Sequence, residues 1–101
     1  MWIEKSDPAI LQSFGRRIRD YRIRMEMTQT ELAERSGVSL GTVVRVEQGK
    51  PISTLLLISL LRTLGLLENL EALLPALSIS PILLRKLQGK NTQRVRHKKE
   101  Y

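Results

Sequence analysis

The chain has 101 residues, 42% of them hydrophobic, and a formal net charge of +7, which fits one domain with a modest core and is too apolar for a wholly disordered chain. Cysteine is absent, so disulfides and thiolate metal sites are excluded, and a reducing compartment fits. The opening MWIEKSDPAI lacks a secretory pattern, and the greasiest run, Leu55 to Leu67, is interrupted by Arg62 and Gly65 and is too short to span a bilayer; the expectation is a soluble cytoplasmic protein.

Apolar residues at Leu11, Phe14, Ile18, Tyr21 and Met25 step by three and four and predict one amphipathic helix from Ala9 to Met25. Asp7-Pro8 supplies a cap and a first-turn proline. Arg16, Arg17, Arg19, Arg22 and Arg24 fall on the opposite, polar face. Thr28-x-x-Glu31 forms a capping box and opens the second helix, with Leu32 and Ala33 inward. Gly37 ends it where a left-handed residue without a Cβ is favoured. Ser39 caps the third helix, Leu40 to Gln48, with Val43 and Val46 on its inner face and Gly49 as its stop. Two short helices joined by so tight a turn fit a helix-turn-helix unit. Ser53 caps a fourth helix, Thr54 to Leu64; a fifth is expected over Leu66 to Leu74, and Ser80-Pro81 opens a sixth, Ile82 to Gln88. No alternating strand pattern is present, so the fold class is all-α.

A prominent helix with a capped, exposed start suits the DNA major groove, and unpaired amides at helix starts bind phosphate. The positive charge favours such an anionic partner. The stretch TQTELAERSGVSLGTVVRVEQGK resembles the helix-turn-helix of the lambda-repressor-like, Xre-type regulators. Gln29, Leu32, Ala33, Gly37, Val38, Val43, Glu47, Gly49 and Lys50 carry the resemblance, which covers roughly residues 10–74 and implies a five-helix domain with a short C-terminal helix and basic tail. It further implies that Ser39, Leu40, Gly41 and Arg45 face base edges. Thr28, Gln29, Thr42, Gln48 and Lys50 would contact phosphates, with Gln29 also buttressing the reading helix. Glu47 would pair with Arg22 of the first helix. The Arg45 fork matches guanine O6 and N7. Leu40 and Gly41 depart from the polar residues often found there, so base reading is expected to be sparse, with weight on phosphates and DNA shape.

Leucine dominates from Ile52 to Leu84, more than a small domain can hide, and exposed apolar patches mark interfaces. Leu66, Leu70, Leu73, Leu77 and Ile82 are the candidates for a dimer or partner surface. A twofold dimer would set two reading helices on a palindromic operator of double-stranded DNA; the alternative is that the sixth helix folds back over the patch. The segment SPILLRKLQGKNTQRVR is similar to the C-termini of HipB-type antitoxins. That resemblance implies a HipA-like kinase toxin as partner and autoregulation of the operon, with inhibition of the kinase either direct or shared with another subunit. The expected organisation is a DNA-binding domain over 1–74, a dimerisation or partner-contact extension over 75–89, and a flexible basic tail over 90–101. Lys90, Arg94, Arg96, Lys98 and Lys99 against Glu100 place +4 of the +7 in that tail, which is a solubilising end, a source of non-specific phosphate contacts, or a segment that orders on a partner.

No catalytic constellation accompanies these residues. The single histidine, His97, sits in the tail, no phosphate-cradling glycine loop is present, and neither metal nor cofactor is implied. Two readings compete with a dimeric repressor: an interaction adaptor with only non-specific DNA binding, and a stand-alone Xre-type regulator without a toxin partner. Membrane association is disfavoured, since the basic and apolar parts do not share one long amphipathic helix.

Overall fold

The computed structural model describes residues 1–78, 81–82 and 85–86. They contain no strand, and five α-helices have both ends described: α1 Asp7–Arg24, α2 Gln29–Ser36, α3 Leu40–Glu47, α4 Thr54–Thr63 and α5 Leu70–Leu73. Short 3-10 turns precede α1 (Trp2–Glu4) and α5 (Leu67–Asn69).

Local hydrogen bonding fixes where the four longer helices begin. The hydroxyls of Ser6, Thr28, Ser39 and Ser53 accept from the amides of Ala9, Glu31, Thr42 and Leu56, pairing donors that a first turn leaves orphaned. The capping box is complete, since the Thr28 amide donates back to Glu31 Oε1 at 2.8 Å. The cap of α1 is Ser6 rather than Asp7, which with Pro8 lies inside the first turn. The helix ends are equally regular. After α1, α2 and α3 the chain turns through Glu26, Gly37 and Gly49, all at positive φ. The next amide reaches back to close each end: Met27 to the Arg22 carbonyl, Val38 to Ala33, Lys50 to Arg45. Glu26, at φ 58°, does so with a side chain.

The core comprises Ile18, Met27, Leu32, Ala33, Val43, Val46, Leu60 and Leu64, with Phe14, Val38, Ile52, Leu57 and Leu66 packed against it. The inner face of α1 is rotated from the apolar stripe. Gly15, Ile18 and Arg22 are buried, whereas Tyr21 and Met25 are more than a third exposed. The cause is close packing on α3: a Cβ on Gly15 would collide with the Val46 carbonyl oxygen and stand 3.0 Å from that of Glu47. Nearby, a Cβ on Gly49 would come within 2.9 Å of the Gln12 Cα. The α1 and α3 backbones therefore nearly touch, and this contact sets how far α3 stands out.

The fifth helix is much shorter than expected. Leu66 to Leu74 divides into a 3-10 turn and a single α-turn, neither with a side-chain cap. Leu66 packs on the core, but Leu73 and Leu74 are 71% and 82% exposed, so a longer helix would have nothing to bury its face against. Pro75 also disfavours helical geometry in the residue before it. Of the expected sixth helix, Ile82 to Gln88, the described residues Ile82, Arg85 and Lys86 are helical; the others, and all of the tail 90–101, lie outside the described residues. No helix among the described residues is long and apolar enough to cross a membrane.

Candidate nucleic-acid interface

Three residues, Gly37 to Ser39, join α2 to α3. The turn works because Gly37 adopts φ 71°, Val38 drops onto the core, and Ser39 at once caps the next helix. α3 then turns Val43 and Val46 inward and leaves Ser39, Leu40, Gly41 and Arg45 exposed on one side. Thr28, Gln48 and Lys50 are also exposed, and Gln29 is half-buried at the first position of α2.

A buried polar knot holds this face. The Glu47 carboxylate accepts from Arg22 Nε at 2.7 Å, from Arg22 Nη2 at 3.1 Å and from Gln29 Nε2 at 3.0 Å. Arg22 Nη1 also donates to the Met27 carbonyl at 2.8 Å, within the turn between α1 and α2. The two charged side chains are only 11% and 4% exposed. Hydrogen bonding to Glu47 holds the Arg22 guanidinium above its ordinary pKa, outweighing the opposing effect of burial. One carboxylate thus ties together α1, the start of α2 and the end of α3. Arg22 therefore belongs inside, not on the polar face where helical spacing alone puts it.

Thr42 does not suit the phosphate-contact role. Its residue is 3% exposed, and its hydroxyl lies 2.9 Å from that of Ser39. The part-buried pair closes the cap of α3, so the Thr42 side chain offers a phosphate almost no surface. Arg45 lies along its own helix toward the start of α3, with Nη1 3.4 Å from where a Cβ of residue 41 would stand. Gly15 and the Met27 carbonyl, both needed to seat α3, went unnoticed in the sequence. The place of Gly15 between Leu11 and Ile18 at helical spacing was the available sign.

The candidates for a dimer or partner surface separate. Leu66 packs partly on the chain's own core and is half-buried. Leu70 is half-buried, while Leu73, Leu77 and Ile82 are exposed. A groove of about 260 Å³ runs beside α5, lined by Phe14, Tyr21, Leu61, Leu66, Leu70 and Leu73 among others. Trp2 stands at its rim with the Arg17 guanidinium 4.6 Å over the indole ring. Among the described residues no group of acidic or histidine side chains could hold a metal ion.

A family model described as helix-turn-helix (HTH_3) matches residues 18–69, more than half of the chain. The matched span begins at Ile18 in α1, takes in α2, α3 and α4, and ends at Asn69. No curated protein matches the chain.

Proposed function

The chain belongs to the Xre/lambda-repressor-like helix-turn-helix family, whose members are DNA-binding regulators, and from that premise we propose that it is a sequence-specific repressor that binds operator DNA as a dimer. One observation carries this: Ser39, Leu40, Gly41 and Arg45 form an exposed face on a helix whose other side is locked to α1 and α2 through Glu47. A rigid helix loses little freedom on entering the groove, so its contacts convert into affinity. Arg45 supplies the base-reading fork. Thr28, Gln29, Gln48 and Lys50 supply phosphate contacts that make binding salt-dependent.

The narrower role is that of the HipB-like antitoxin of a type II toxin–antitoxin operon, acting in the cytoplasm and without catalysis of its own. Its support is the likeness of SPILLRKLQGKNTQRVR to HipB-type C-termini. In this role residues 1–74 bind DNA, 75–89 join the dimer or contact a HipA-like kinase, and 90–101 form the basic tail. Leu66, Leu70, Leu73, Leu77 and Ile82 are the apolar residues offered to that contact, Leu66 and Leu70 being half-buried.

A gel shift on the DNA upstream of the chain's own gene tests the first part. Arg45→Ala and Gln29→Ala should weaken binding, and wild-type affinity in both would show that the reading face is wrong. Co-expression with a kinase encoded immediately downstream tests the second: co-purification supports the antitoxin role, and separate elution opposes it. The half-exposed Leu40, 46% accessible, beside Gly41 favours one rival, an interaction adaptor with unselective DNA binding. That rival requires equal affinity for operator and random duplex while a kinase still co-purifies.

A further inference from the structure

Gly41 is the second residue of α3 and is exposed. Its φ is not among the positive values, so the backbone there makes no demand for glycine. Glycine in a helix is less stable than alanine because the unfolded chain has more freedom to lose. Beyond its chain neighbours and its own helix backbone, a Cβ at residue 41 would meet two atoms within 4 Å: Arg45 Nη1 at 3.4 Å and Ser39 Oγ at 3.8 Å. The Ser39 hydroxyl is already engaged with Thr42. What the missing side chain makes room for is the Arg45 guanidinium.

We infer that Gly41 is a specificity-determining residue that acts by positioning Arg45. This rests on the DNA-reading role of α3 proposed above. Long side chains on a helix lean toward its N-terminus. A residue one turn earlier usually occupies that path. Here the path is clear, so the guanidinium lies over the first turn of α3, the end at which recognition helices meet base edges. Arg45 then covers the ground of two reading positions, and its paired donors face a guanine from the tip of the helix. A methyl at 41 would stand in ordinary contact with Nη1, at 3.4 Å; a longer side chain such as leucine takes the space that the guanidinium fills. The selected base should therefore depend on the size of residue 41, although that residue has no polar side-chain atom of its own.

The test begins with selection of bound duplexes from a randomised library by the full wild-type chain. Affinities are then measured for the selected duplex and for versions with each guanine replaced by adenine. Wild type should discriminate about 10- to 100-fold at one guanine, and Arg45→Ala should lose that discrimination. Gly41→Ala should keep most of it, and Gly41→Leu should reduce it nearly as far as Arg45→Ala does. Adding either Gly41 change to Arg45→Ala should have no further effect. Gly41→Ala should also raise the thermal midpoint, and Gly41→Leu should lose selectivity without losing stability, a combination that a merely structural glycine would not give. Full discrimination in Gly41→Leu, or a loss additive with Arg45→Ala, would overturn the inference while leaving α3 as the reader. A wild-type chain that selects no motif would overturn the DNA-reading role and this inference with it.

Discussion

Glu47→Ala removes one side chain and strands another. The guanidinium of Arg22, 11% exposed in its side chain, keeps only the Met27 carbonyl, and Gln29 loses its acceptor. Breaking a buried ion pair from one side costs about 3–5 kcal/mol, because the remaining charge stays out of water without a partner. Some solvent reaches Arg22, so the lower end, about 3 kcal/mol, is expected here. A domain of this size has about 5–15 kcal/mol of total stability, so the loss is a large share of it. In thermal terms each 1 kcal/mol shifts the midpoint by about 4–8 °C at this length. Urea unfolding followed by helical circular dichroism measures the change, with an unchanged m-value confirming that the transition itself is the same. The double change Arg22→Met with Glu47→Leu should recover most of the loss, since apolar replacements leave no buried charge. A loss under about 1 kcal/mol for Glu47→Ala is the value of an exposed pair and would refute the knot as the element that fixes α3.

Gly15→Ala should destabilise by about 1–3 kcal/mol despite its better helix propensity, because the added methyl meets the Val46 carbonyl; stability at or above wild type would mean that α1 and α3 do not cross so closely. Glu26→Gly should stabilise by about 1 kcal/mol, since a residue at φ 58° carries left-handed strain that glycine lacks, and a thermal melt with no gain would remove that reading of the α1 end. Chiefly through its bond from the Thr28 amide, Glu31 is held below its ordinary pKa, so its contribution is complete above the unfolded carboxylate value and fades as pH falls through the lowered one. The stability difference between wild type and Glu31→Gln should accordingly shrink on acidification below about pH 4.5, and a difference independent of pH would count against the capping box.

The parts of the fold that rest on short-range chemistry were legible in the sequence. Thr28, Glu31, Gly37, Ser39, Gly49 and Ser53 announce helix limits because each cap is made within a few residues. The inner face of α1 was harder to read. Its contact with α3 is made by Gly15, which has no side chain, and by Arg22, whose charge is satisfied by Glu47 in another helix. Hydrophobic spacing detects neither, and it favoured Tyr21 and Met25 instead. The resemblance supplied the Arg22–Glu47 partnership that periodicity could not. Thr42 misled because a hydroxyl at a helix start suits phosphate equally well, and only the packing of α3 turns it inward against Ser39. The fifth helix is present but short for the opposite reason: a leucine run satisfies helical spacing, yet a helix persists only where a surface receives its apolar face.

Amide chemical-shift mapping during titration with the upstream duplex examines the role of α3 residue by residue. Docking of α3 in the major groove predicts shifts concentrated at Thr28, Gln29, Ser39, Leu40, Gly41, Arg45, Gln48 and Lys50, with little change at Trp2, Tyr21, Leu70 and Leu73 around the groove beside α5. Large shifts at those four residues with α3 silent would show that DNA meets a different face of the protein.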